Sequence, residues 1–380
     1  ENAMLWMLGI AIIPLVAILA FWQKSDGRIS SKELAILIGQ CLLVSSLGVW
    51  IGLSYKTTST EVWNGRVTSK DHGWGSCCHC RTESYACGTD AKGNTQYCTR
   101  PVCDHVRDEE WTATSSNGET VYSNTCNAPG TNTPVRWQQI RVGEPTAVEH
   151  YYTNYIRANP DTILRTRGLA AQFAGRLPAY PRMFDHYRIN RVMNAGTGID
   201  GATLQDLETR LNEANANLGA ARQVNINVVL TSAEDRRFAE ALREHWILNG
   251  HGAEKNDFTV VMGISSYPHI DWVEFVTWTR NERVKMNVRD RLERLATFSA
   301  PQVAHIIANE VDNHFVRRSM ADYEYLYATV SPPTWILILA WLLEMIITGV
   351  LTKYFYDNDP FERRTGFGLH RRFASRHTFF

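Results

Sequence analysis

Seven of the eight cysteines crowd one stretch, at Cys77, Cys78, Cys80, Cys87, Cys98, Cys103 and Cys126, with His72, His79 and His105 among them. Thiolate and imidazole are the donors zinc favours, and Cys78-x-Cys80 and Cys103-x-His105 would each supply a pair of ligands. That spacing is not the paired C-x2-C of ribbon-type sites. The same sulfurs joined two by two would form a disulfide framework, the usual state outside the cytosol. An odd number leaves one thiol over, either free or joining subunits. The placement of the chain, argued below, favours disulfides, and no metal or cofactor is expected.

A second chemical signal is Glu344, an acid in the middle of an apolar run. A carboxylate at the centre of a membrane helix costs about 2.5 to 3.5 kcal/mol on insertion scales, so it must face water or a polar neighbour. It could serve a proton or ion path. The scarcity of other polar residues favours instead a protonated acid bonded to a neighbouring helix, with Gln40 as the partner.

Hydrolase and nucleotide-binding signatures are not seen in a fitting context. Gly196-x-Gly198-x-x-Gly201 has the text of a dinucleotide loop, but no apolar strand is apparent before it, which leaves a flexible turn. Asp257, Asp271 and Asp290 are spread along the C-terminal half and read as solvated surface acids.

These residues have to be positioned by a chain of 380 residues, room for two domains or for one large domain with membrane segments. Three apolar runs decide for the second: Met4 to Trp22, Ala35 to Tyr55 and Thr334 to Tyr356, each near the roughly 20 residues that cross a hydrocarbon core. Trp6, Trp22, Trp50, Tyr55, Trp335, Tyr354 and Tyr356 lie toward their ends, as interfacial aromatic belts do.

Lys24, Arg28 and Lys32 mark the loop between the first two runs, and Lys353, Arg363, Arg364, Arg371, Arg372 and Arg376 mark the end of the third and its tail. Basic flanks stay in the cytoplasm, and three crossings put both on one side. The expected topology is N-terminus out, region 56–333 outside and the tail inside, where its arginines would lie on anionic headgroups. Lys plus Arg equals Asp plus Glu at 39 each, which removes the basic excess of a nucleic-acid binder.

Within 56–333, residues 56–145 are rich in Gly, Ser, Thr, Asn and Cys and read as a Cys-rich β module. Residues 146–201 form a mixed connecting region without clear assignment. Residues 202–330 alternate: a helix near Leu204–Leu218, strand VNINVVLT, a helix from Ala233 to Leu248 opened by a capping box of Ser232 and Asp235, strands FTVVMGIS and WVEFVTWT, and helices near Val284–Leu295 and Pro301–Arg317. Strand, helix, strand in so short a span predicts a parallel or mixed sheet. Residues 1–55 then hold two transmembrane helices, 331–356 the third, and 357–380 the basic aromatic tail.

Two resemblances add to this. The stretch around Trp246, Gly250, Lys255, Asn256, Asp257 and VVMGI, within about 223–320, resembles the TPM domain, an extracytoplasmic α/β sandwich tethered near a membrane span, some members of which have phosphatase activity or bind metal through acidic residues. Asn256-Asp257 stands where that family usually has Asn-Gly before its second strand. Over nearly the whole chain, VWNGRVTSK, EHYYTNYIRANPD, QVNINVVLT, GAEKNDFTVVMG and PPTWILILA resemble membrane proteins of tailed bacteriophages, which implies residence in a host inner membrane.

The sequence therefore leads us to expect an α+β membrane protein: three transmembrane helices, with a Cys-rich β module and a TPM-like α/β domain in one large extracytoplasmic region. It would be a non-enzymatic scaffold whose partners are the bilayer and, through small residues on the second span and Glu344 on the third, copies of itself in a cyclic homo-oligomer. A TPM-type tethered phosphohydrolase, or a small channel using Glu344, are the alternatives.

Overall fold

The computed structural model describes residues 2–25, 28–77, 79–89, 92–127, 133–159, 167–251, 254–358, 360 and 361. The chain divides into two compact units, residues 58–324 and a unit made from 1–57 and 325–380.

The terminal unit is built on three helices, α1 (Asn2–Lys24), α2 (Ser31–Thr57) and a C-terminal helix spanning Thr334–Asn358. All three are long and apolar enough to cross a membrane, with mean hydropathies of 2.6, 2.1 and 2.1. Helix α2 opens with a capping box, in which Ser30 N donates to Glu33 Oε2 at 2.7 Å and Glu33 N donates to Ser30 Oγ at 3.4 Å. The bundle is tight where residues are small: a Cβ on Gly48 would lie 2.5 Å from that of Ala340, and one on Gly52 would lie 2.7 Å from Pro332. At one end Arg28 Nη1 donates to Tyr356 Oη at 2.7 Å, so the α1–α2 loop meets the foot of the C-terminal helix. At the other end the Tyr55 and Trp335 rings meet edge-on.

Unit 58–324 is mixed α and β. Strand β1 (Thr58–Ser76) serves two partners: its first half pairs with β6 (Pro145–Thr153), and past a bulge between Val67 and Ser69 its second half pairs with β4 (Arg107–Ser115). With β5 (Thr120–Asn127) the antiparallel order is β5-β4-β1-β6. Between β1 and β4 the chain runs out into a two-stranded ribbon, β2 (Cys80–Thr89) and β3 (Thr95–Cys103), which pair only with each other among the described residues. Strand β6 and the short pair β7 (Met183–Phe184) and β8 (Arg188–Ile189) arise from the region that had no assignment.

The second sheet has the order β12-β11-β10-β9, from β9 (Val192–Ala195), β10 (Asn225–Thr231), β11 (Asp257–Gly263) and β12 (Trp272–Thr277). Strands β9, β10 and β11 are parallel and β12 is antiparallel. Every residue of β10 and β11 is buried, the pattern of a sheet covered on both faces. Val228 and Leu230 face helices α3 (Gly201–Arg222), α5 (Glu282–Glu293) and α6 (Ala300–His314), while Val229 faces α4 (Phe238–Leu248). The long apolar helix at Thr334–Asn358 is therefore α7.

Three local expectations change. Helix α4 begins at Phe238 rather than Ala233, and the Ser232–Asp235 capping box does not form. Asp235 instead turns onto Arg237, accepting its backbone N–H at 2.9 Å, and the Ala233 carbonyl is taken by Trp272 Nε1 at 3.0 Å. Second, the glycine loop does follow a strand: β9 precedes Gly196 and α3 starts at Gly201. The four residues of β9 are too few to stand out as an apolar run, and the strand is set by pairing with β10. Third, Asp257 is not a surface acid; it is 2% exposed.

Candidate functional site

Two parallel strands of the α/β sheet begin with a polar side chain each, Asn225 on β10 and Asp257 on β11, and the two are register partners. They found a buried polar seam. Asp257 accepts hydrogen bonds from Tyr180 Oη and Asn225 Nδ2, both at 2.8 Å. Asn225 Oδ1 in turn accepts from Arg191 Nη1 at 2.6 Å, and Arg191 Nη2 donates to Asn64 Oδ1. Asn64 Nδ2 reaches the Val224 carbonyl at 2.8 Å, and Asn256 Nδ2 reaches that of Val62 at 2.7 Å. Since Asn64 and Val62 lie on β1, the seam fastens the β module to the α/β sheet through bonds sheltered from water, where a group left unbonded would be costly.

Burial, and after it the neighbouring Glu254, holds the Asp257 carboxyl well above its ordinary range. Burial also draws Arg191 down to about 10, with Glu208 the main opposing charge. Tyr180 is pushed up, first by burial and then by Asp257. Its ring stacks on His251 at 5.0 Å, and burial, then Arg157, lowers the His251 imidazole.

Perturbed acids beside a histidine mark functional sites often enough that access has to be tested. The cavity beside Asp257, lined by Thr60, Glu149, Tyr180, Arg182, His251 and Glu254, holds about 30 Å³. That is room for about one water, far from the 300 Å³ or more of small-molecule sites. A larger open pocket of about 410 Å³ lies along Glu144, Tyr187, Arg188, Glu208, Asn212 and Glu213. Its acids outnumber its cation, and Arg188 is already bonded to Glu144 at 2.9 Å, so it is unsuited to a phosphate.

The glycine loop is likewise closed to anions. Asp200 caps α3, accepting from Thr203 N at 2.9 Å and from its hydroxyl at 2.7 Å, and places a carboxylate where a phosphate would sit. Asp271 and Asp290 are exposed and do not join the seam.

In the Cys-rich module, disulfides join Cys80 to Cys103 and Cys87 to Cys98, one at each end of the β2–β3 ribbon. Cys78-x-Cys80 and Cys103-x-His105 are therefore not ligand pairs, because oxidised Cys80 and Cys103 offer no thiolate. Cys77 and Cys41 are free thiols. Cys78 and the tail residues Arg363, Arg364, Arg371, Arg372 and Arg376 lie outside the described residues, as does the side chain of Cys126.

Among the helices, Glu344 is wholly buried and its partners are not the expected Gln40. Cys41 Sγ donates to Glu344 Oε1 and Ser45 Oγ to Oε2, each at 2.6 Å, while Gln40 Oε1 accepts from Thr348. Cys41 and Ser45 stand four residues apart, on one face of α2, and Gln40 is turned from that face by a third of a turn.

Of the seam, the sequence singled out only Asn256 and Asp257, and it read Asp257 as a surface acid. Arg191, Tyr180 and Asn64 come from separate segments and carried no signal. Compared with known proteins, the chain has no significant match to a family model, a curated protein or a solved structure.

Proposed function

We propose that this chain is a non-enzymatic, membrane-anchored scaffold of a bacterial inner membrane, phage-encoded, with a TPM-like α/β domain and the Cys-rich module held outside, N-terminus out and tail in. The observation that carries the reading is the β2–β3 ribbon. Nearly all of it is exposed, it has no core, its two strand edges pair with nothing else among the described residues, and it is cross-linked at both ends. Unpaired strand edges offer rows of N–H and C=O groups to another chain, and Tyr85 and Tyr97, at 42% and 70% exposure, supply amphipathic contact area. An element so built presents a surface; it does not enclose a substrate.

Self-assembly into a closed ring rests on this ribbon rather than on the helices, because Gly48, Gly52 and Glu344 have partners within their own bundle. The mass of the detergent-solubilised complex tests it: a fixed multiple of the chain mass, lost on Tyr97→Arg, is the expected result, and a single-chain mass at every concentration removes the scaffold reading. The orientation is supported by the meeting of Arg28 with Tyr356, which brings the basic loop and the foot of α7 to one end. An impermeant thiol reagent should label Met286→Cys in cells with a permeabilised outer membrane and spare a cysteine in the 24–33 loop. The tethered-phosphohydrolase alternative would return if phosphoester cleavage by the purified chain were lost in Asp257→Asn.

A further inference from the structure

The free thiol of Cys77 is not isolated. Strand β1 ends at Ser76 and β4 begins at Arg107, and these two residues are register partners, as are Gly75 and Asp108. The ribbon therefore leaves and re-enters the sheet through a narrow neck, closed further out by Asp104 N donating to His79 O at 3.2 Å and by the Cys80–Cys103 disulfide. On the outgoing strand this neck carries Cys77-x-His79, and on the returning strand His105-x-x-Asp108.

The ligand atoms of Cys77, His105 and Asp108 all lie within 4.8 Å of one another. His105 Nε2 is bonded to Asp108 Oδ1, and His79 Nδ1 approaches the same oxygen at 3.9 Å. The two imidazoles meet edge-on at 5.4 Å. Asp108 has no exposed side-chain surface at all, and a carboxylate taken out of water is stabilised by pairing or by metal coordination.

We infer that Cys77, His79, His105 and Asp108 form a tetrahedral site for a zinc-class divalent cation. One sulfur, two nitrogens and one oxygen suit a borderline-soft ion without geometric preference. Bond lengths of about 2.0 to 2.3 Å would bring the donors to about 3.5 Å from each other, which small side-chain rotations supply for Cys77, His105 and Asp108; His79, whose Nδ1 is 3.9 Å from Asp108 Oδ1, would complete the set by a larger rotation. Cys77 also lies within 4.8 Å of the sulfurs of Cys80 and Cys103, but a disulfide has no thiolate to offer. The ion would bridge β1 to β4 where a ribbon without a core joins the sheet, and would keep the Cys77 thiol from oxidation. The inference is independent of self-assembly: a chain that binds metal as a monomer satisfies it and fails the scaffold reading.

The test uses the full chain in detergent, stripped with chelator and titrated with Co²⁺ or Zn²⁺ alone. The expected result is one ion per chain, with a thiolate-to-cobalt charge-transfer band that disappears in Cys77→Ser, and affinity weaker by about tenfold or more in Cys77→Ser and His105→Ala, with Cys41→Ser unchanged. Zn²⁺ should also slow alkylation of the Cys77 peptide in the unmodified chain by about tenfold or more, a readout that needs no variant to fold. Equal cobalt binding by the parent chain and Cys77→Ser without the band, alkylation of Cys77 unaffected by zinc, or peptide mapping that finds Cys77 in a disulfide would each overturn it.

Discussion

The β2–β3 ribbon and the β10–β11 strand pair are both ladders of extended chain, yet they live in opposite surroundings. All seven residues of β10 and all seven of β11 are buried between helices, so apolar burial holds that pair and its ends can carry polar residues that bond one another. The ribbon has almost no buried residue and would be marginal as an isolated hairpin. Covalent links replace the missing core. Such a difference means that stability and presentation are separated in this chain: the α/β half can be perturbed without altering the ribbon's exposed face, and the ribbon can be loosened without unfolding the sheet.

The largest effect expected is from Phe258→Ala. Phe258 is fully buried on β11 against Phe275 and Phe315, and its truncation should cost about 3 to 5 kcal/mol. Denaturant unfolding of the full chain in detergent should show the loss, while peptide mapping should find the Cys80–Cys103 and Cys87–Cys98 links unchanged. Scrambled disulfides in a folded variant would break the comparison.

Removing Cys87–Cys98 by paired serine substitutions should come next. It closes a sequence separation of 11, which chain entropy values at about 3 kcal/mol. That loss should fall on the ribbon alone, as faster amide exchange across 80–103 with no shift in exchange on β10 and β11. A parallel shift in both regions would show that they unfold together.

The pH dependence belongs to the α/β half. Because Asp257 sits above its ordinary 3.8 in the fold, the native state keeps a proton that the unfolded chain gives up over that interval. Its contribution to stability is full below the unfolded value and is lost as pH rises through the folded one, with a slope up to about 1.4 kcal/mol per pH unit. Urea midpoints measured upward from pH 4 should fall more steeply in the parent chain than in Asp257→Asn, and identical slopes would count against the buried acid. The smallest change is expected from Tyr97→Ser, which leaves a 70% exposed site and should move stability by no more than about 0.5 kcal/mol.

The amino-acid order by itself determined the elements whose physics is local. Three long apolar runs read as long apolar helices, the run VNINVVLT as a strand, and the crowded cysteines as a disulfide framework. Helix ends were not legible from cap residues alone: Ser232 and Asp235 read as a cap, yet Asp235 prefers Arg237 and shortens α4, while the cap that forms, Ser30 with Glu33, was not read from the sequence.

Tertiary structure alone decided which side chains meet. Asn64, Tyr180, Arg191, Asn225 and Asp257 converge because β1 of one sheet and the segments before β7 and β9 pack against the starts of β10 and β11, and the pairing of Cys41 and Ser45 with Glu344 follows from how α2 and α7 pack. Spacing along the chain encodes neighbours one helical turn or one strand step apart. Contacts between residues 100 or more apart depend on the balance of every packed face at once, which no local pattern carries. The neck of the ribbon lies between these limits: Cys77-x-His79 and His105-x-x-Asp108 are plain in the sequence, and only the register of β1 against β4 sets them face to face.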